Sequence, residues 1–144
     1  MGSYHLAAPL ADSSVFVTSF EGCDLRLVDD ARYLWLLLIP QKDEVFEWHD
    51  LNAHERHQLI DTASAIADII QTQTQADKMN LATIGNIVPH FHFHIIARFK
   101  TDEAWPQPVW GRGQAVPYEK DALATKLSVL QSWLAPLALQ IKTK

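Results

Sequence analysis

Single alternation of apolar and polar residues runs through "CDLRLV", where Cys23, Leu25 and Leu27 fall on one face and Asp24 and Arg26 on the other. A period of two predicts a half-buried strand. "YLWLLLIP", from Tyr33 to Pro40, is apolar throughout, so the strand it predicts is covered on both faces and ends at the proline. The "DDAR" between them supplies turn chemistry and makes the pair a hairpin. The period then changes: Leu59, Ala63, Ile66 and Ile70 recur every three or four residues, as in a helix that packs one face on a sheet. Asn52 and Glu55 stand where an N-cap and its capping-box partner belong. This helix is expected to fade in the polar "QTQTQAD". "NLATIGN" and "HFHFHIIARF" read as two further strands joined around Gly85 to Pro89, and Leu123, Leu127, Leu130 and Leu134 predict a second helix that Pro136 stops. Strands with two helices set apart define an α+β domain.

Length and charge narrow the picture. With 144 residues, 48% of them hydrophobic, the chain suits one domain over 1–144 with a proper core. Neither an internal repeat nor a low-complexity tract interrupts it, and its one Pro-rich stretch is "AWPQPVWGRGQAVP". Cys23 is the sole cysteine, which excludes an intramolecular disulfide or a Cys-Cys zinc ribbon and makes a reducing, cytoplasmic location the expectation. Residues 1–14 lack the pattern of a signal peptide, and the longest apolar run falls far short of the roughly 20 residues that span a bilayer. A net charge of −5 argues against nucleic-acid binding but not against a small anion held by local cations.

The densest chemistry is "HFHFHIIARF". Extended backbone would place His90, His92 and His94 on one face and Phe91, Phe93 and Ile95 on the other. Three histidines in register have three readings. They can be solvated surface residues, although the two phenylalanines between them imply a core behind the strand. They can be metal ligands, since His-x-His is a zinc spacing, but the outer two Cα atoms would lie about 13 Å apart on a straight strand. Or they can act at phosphorus: a neutral imidazole is a nucleophile near pH 7, and its neighbours can hold its tautomer and donate to phosphoryl oxygens.

His90-Phe91-His92-Phe93-His94-Ile95-Ile96 matches the His-φ-His-φ-His-φ-φ pattern of the histidine triad (HIT) family, φ being hydrophobic. "LLLIPQK", "HDL" and "NLATIGNIVPH" resemble the family's context, so the likeness spans about 15–98, with a C-terminal extension and helix over about 101–144. "DEAWPQPVWG" resembles a bacterial branch described as diadenosine-tetraphosphate-hydrolase-like. The resemblance implies a HIT-like antiparallel sheet of about five strands with two main helices, in a homodimer. It also implies a nucleotide hydrolase or transferase acting at the α-phosphate of a dinucleoside polyphosphate through a covalent nucleotidyl-histidine. No cofactor is required on this reading, and any divalent ion accompanies the polyphosphate.

Position by position, the resemblance makes His92 the nucleophile and His90 and His94 its flanking partners. It sets Asn80 and Asn86 near the scissile phosphate and Asp30 at the ribose hydroxyls. Arg98 and Lys100 alternate with Phe99 and are candidates for positive potential toward polyphosphate. Trp105 and Trp110 read as packing residues, with Trp110 or Arg112 able to reach the other subunit's site in a dimer. His49, His54 and His57 read as solvated. The chain departs from the family at Ile87, where a hydroxyl residue is frequent, at Asp43, where a histidine is, and at Ala97, where Pro or Gly is usual. These departures keep open a nucleotide-binding sensor with little turnover, beside the His-ligated metal protein.

Overall fold

The computed structural model describes residues 4–142; the first three and last two residues of the expected domain lie outside the described residues. Five strands form one antiparallel sheet: β1 (Ser14–Phe20), β2 (Cys23–Val28), β3 (Leu34–Pro40), β4 (Lys78–Thr83) and β5 (Phe93–Arg98), in the order β1-β2-β3-β5-β4. A short helix α1 (Ala8–Ser13) leads into β1, and two long helices follow, α2 (Ala53–Thr74) and α3 (Lys120–Lys142). This is the α+β arrangement of five antiparallel strands and two main helices that the sequence leads one to expect. None of the described helices is long and apolar enough to cross a membrane.

The sheet is covered on both sides, and β3 shows why its sequence is apolar throughout. Leu36 and Leu38 join Leu25, Leu27, Phe93 and Ile95 beneath Ile66 and Ile70 of α2 and Leu130 and Leu134 of α3. Each such side chain, fully buried, contributes roughly 1.5–3 kcal/mol. On the opposite face Leu37 and Ile39 pack on Leu10 of α1, while Tyr33 and Ile96 pack on Ala104 and Val109 from the segment after β5. The two long helices thus close one face, and α1 with the segment that follows β5 closes the other.

Helix α2 starts as its sequence predicts. The Asn52 side chain accepts from the Glu55 amide at 2.9 Å, and the Glu55 carboxylate accepts from the Asn52 amide at 2.9 Å. Two expectations are corrected. Pro136 does not stop α3, which continues to Lys142: Leu134 and Leu137 are buried on either side of it, and this packing offsets the roughly 3 kcal/mol that an interior proline costs. Nor does the strand carrying the histidines begin at His90. The β4–β5 ladder stops at the pair Thr83 and Phe93, and the Phe91 amide donates instead to the Val45 carbonyl at 2.9 Å.

A candidate active site built on three fixed imidazole tautomers

Phe91 and Phe93 are the anchors. Both rings lie 5.8 Å from Trp48 in the helix-side core, so the intervening residues are turned to the other face of the sheet. His94 stands on β5 opposite Leu37, while His90 and His92 lie on the irregular backbone just before the strand. Freed from the ladder, that backbone brings the His92 and His94 rings to 4.9 Å, edge to face.

Each imidazole has its Nδ1 committed. His92 Nδ1 lies 2.7 Å from the His90 carbonyl oxygen. A carbonyl only accepts, so Nδ1 carries the proton and Nε2 keeps its lone pair. The Trp35 indole Nε1–H donates to His94 Nδ1 at 2.9 Å, and the Ala7 amide donates to His90 Nδ1 at 3.1 Å. Both flanking rings, when neutral, therefore carry their proton on Nε2, and neither Nε2 has a hydrogen-bond partner among the described residues. The result is a His92 nitrogen with a free lone pair, and an unengaged N–H donor on each of the two flanking histidines. Burial, reinforced by the neighbouring His92, pushes His94 down to about 3. His90 is lowered by burial and by His92, against a smaller opposing pull from Asp43.

Beside the triad is a cleft of about 310 Å³ whose walls include Leu10, Val28, Leu37 and Val109, with His92, His94, Asp30, Arg32 and Arg112 among its polar groups. Asp30 is buried and clamped. Its Oδ1 accepts from the Arg32 amide, Arg32 Nε and the Val116 amide at 3.1, 3.0 and 3.3 Å, and its Oδ2 accepts from Arg32 Nη2 at 2.9 Å. Burial pushes the Asp30 carboxyl up, but the donors from Arg32 and Val116 outweigh it and hold the group below the usual carboxylate range. Arg32 Nη1 continues to Glu103 and to the Arg112 carbonyl, each at 2.6 Å, fixing the Gly111–Gly113 loop at the rim. The Arg112 side chain is exposed there.

The other candidates fall elsewhere. Arg98 and Asn80 do not line the cleft: Arg98 Nη1 donates to Asn80 Oδ1 at 2.9 Å, Nε and Nη2 bond Asp102 at 2.8 and 3.0 Å, and Nη2 also reaches the Gln107 carbonyl at 2.7 Å. That arrangement replaces the expected phosphate role with a structural one, holding the segment after β5 against the sheet. Asn86 is exposed in the β4–β5 connection and is likewise outside the cleft. Trp110 packs edge-on against His94 at 5.0 Å within its own chain, and Arg112 lines the same chain's cleft, so neither needs a second subunit to reach a triad. His49, His54 and His57 are exposed, and no group of three or more His, Cys, Asp or Glu among the described residues is arranged to hold a metal ion. Sequence reasoning passed over Trp35 and Arg32. Period two puts Trp35 on the Leu37 face of β3, but which strand pairs there is not written in the local pattern.

Sheet order, the two long helices and a triad of this geometry define a class, and the family comparison agrees: the HIT domain model matches residues 11–101, and the chain belongs to the HIT family. Its solved relatives include a histidine triad protein from Marinobacter aquaeolei, 32% identical with a TM-score of 0.88 over 97% of this chain and 99% of that one. Another, from Sinorhizobium meliloti, is 31% identical with a TM-score of 0.86 over 90% and 96% of the two chains. Among curated proteins, the bis(5'-adenosyl)-triphosphatase of Saccharomyces cerevisiae is 34% identical over 70 residues. That match takes in 45% of this chain and only 34% of the yeast protein.

Proposed function

We propose that this protein hydrolyses a phosphoric anhydride at the α-phosphorus of a nucleotide, with dinucleoside polyphosphates as the substrate class, through a covalent nucleotidyl-His92. The observation that carries the reading is the tautomer set: a lone pair on His92 Nε2, with the Nε2–H groups of the flanking His90 and His94 unengaged. The similarity to bis(5'-adenosyl)-triphosphatase supports the substrate class. In the first step the Nε2 pair forms a bond to phosphorus, and the bond to the bridging oxygen breaks with its electrons going to the departing phosphate chain. The positive charge on the ring is held through Nδ1–H on the His90 carbonyl. Water then adds to phosphorus, its surplus proton passes to solvent, and the nitrogen–phosphorus electrons return to Nε2. His92 is itself the nucleophile, so this chemistry calls for no metal-generated hydroxide; a divalent ion enters with the polyphosphate. On this reading the apolar walls take the base, Asp30 Oδ2 accepts a ribose hydroxyl, and Arg112 meets phosphate charge. The working assembly is a homodimer.

Replacing His92 by Gly is expected to lower kcat on diadenosine triphosphate by more than about 10³-fold, a loss of at least about 4 kcal/mol in transition-state stabilisation. AMP binding by calorimetry should persist. The intermediate should appear by mass spectrometry as an acid-labile nucleoside monophosphate on His92. Near-normal turnover by His92→Gly, or an adduct on another residue, overturns the mechanism. If the wild-type protein binds AMP yet hydrolyses no dinucleotide in a panel, it is a nucleotide-binding sensor instead.

A further inference from the structure

We propose that Trp35 is a positioning residue that fixes His94 as a pure Nε2–H donor and thereby selects substrates whose leaving group departs as an anion. The proposal rests on the hydrolase reading for its second half; its first half stands on geometry alone.

An indole has one N–H and no acceptor. Once Trp35 Nε1–H is bonded to His94 Nδ1 at 2.9 Å, the proton of a neutral His94 has one place left, Nε2. A histidine, glutamine or hydroxyl in the position of Trp35 could reverse the direction of that bond; tryptophan cannot. The indole is also immobilised. It packs edge-on against Tyr33 at 6.3 Å and Trp110 at 6.1 Å, and its ring lies 5.8 Å from that of His94. The Nε2 atom of His94 is buried without a partner among the described residues, and the His94 and His92 rings lie 4.9 Å apart.

Such a group can donate a hydrogen bond to a phosphoryl oxygen but cannot give its proton away, because the product would be a buried imidazolate. When His92 attacks, the bond between phosphorus and the leaving group must therefore break with the electron pair staying on the leaving atom and no proton arriving from His94. A phosphate or pyrophosphate oxygen leaves readily in that form. An amine does not, since it needs protonation first.

The test joins a spectroscopic and a kinetic arm. Long-range ¹H–¹⁵N spectra of the wild-type protein should show His94 protonated at Nε2 alone, and Trp35→Phe, which keeps a ring and removes the N–H, should show a mixture of tautomers. Diadenosine triphosphate and adenosine 5'-phosphoramidate present the same adenylyl group with different leaving groups. The wild type should cleave the anhydride at least about 10³-fold faster than the amide, and Trp35→Phe should lose about 10-fold or more in kcat with little change in KM. An Nδ1-protonated His94 in the wild type, an unchanged tautomer in Trp35→Phe, or comparable rates on the two substrates overturns the proposal. Loss of both activities in the wild type, with the tautomer as expected, overturns the hydrolase reading and leaves the tautomer lock standing.

Discussion

Arg98 and Arg32 each sit beside an aspartate, and the two pairs illustrate what single residues do here. Arg98 is 1% exposed and Asp102 faces it from four residues on. Taking away one partner of a buried pair strands the other charge, which costs about 3–5 kcal/mol. Arg98→Met should accordingly lower the unfolding free energy by that amount in urea titration, while AMP affinity of the folded protein stays within about twofold. Weakened AMP binding at full stability would instead make Arg98 a substrate ligand. The triad was legible as a cluster because Phe91 and Phe93 at alternate positions claim the core and leave the intervening histidines to the other face. The mutual bond of Arg98 and Asn80 was not legible, because a cation and an amide near such a motif look the same in sequence whether they meet phosphate or each other. Only the fold, by bringing Asp102 and Gln107 onto the same guanidinium, separates the two uses.

Elements with regular patterns were legible, and those with broken ones were not. β2, β3 and α2 repeat cleanly at two or at three to four residues. β1 does not: its register slips between Phe16 and Thr18, and its buried residues are Ser14, Val17 and Phe20. A bulge thus converts a period of two into a period of three and hides the strand. β4 matters for a different reason. Among the described residues it pairs only with β5, so its outer backbone groups have no strand beside them there, while Leu81, Ile84 and Ile87 are 36%, 43% and 94% exposed. An open edge with apolar neighbours suits pairing with a second copy about a twofold axis. Light scattering at micromolar concentration should give twice the chain mass, and a strict monomer there would remove the proposed dimer.

For the molecule as a whole, burying imidazoles links function to acid stability. An unfolded His94 titrates near 6.5, whereas the folded one is pushed down to about 3 by burial and by His92. Between those values the unfolded chain holds a proton that the folded protein refuses, so stability is complete above the unfolded value and declines as pH falls. His90 is shifted in the same direction. From about pH 6.5 to about pH 5, where carboxylates are largely ionised in both states, His94 alone should remove on the order of 1–2 kcal/mol. Denaturant titrations of wild type and His94→Asn over that interval check this: the variant's stability should fall less by about that amount, and parallel pH slopes would show that His94 is not held neutral by the fold.

The bond from the Ala7 amide to His90 differs in kind from the one Trp35 makes to His94. Trp35 is a side chain, so one codon change can delete its donor. The Ala7 donor belongs to the main chain and is carried by every amino acid except proline. Ala7 has φ of −58°, close to the angle that proline prefers, so Ala7→Pro would remove that one hydrogen while matching the local backbone angle. One flanking partner of His92 is therefore open to mutational drift at a single position, and the other is nearly silent to it. Variation among descendants of this sequence should accumulate first in how His94 is held, and last in how His90 is.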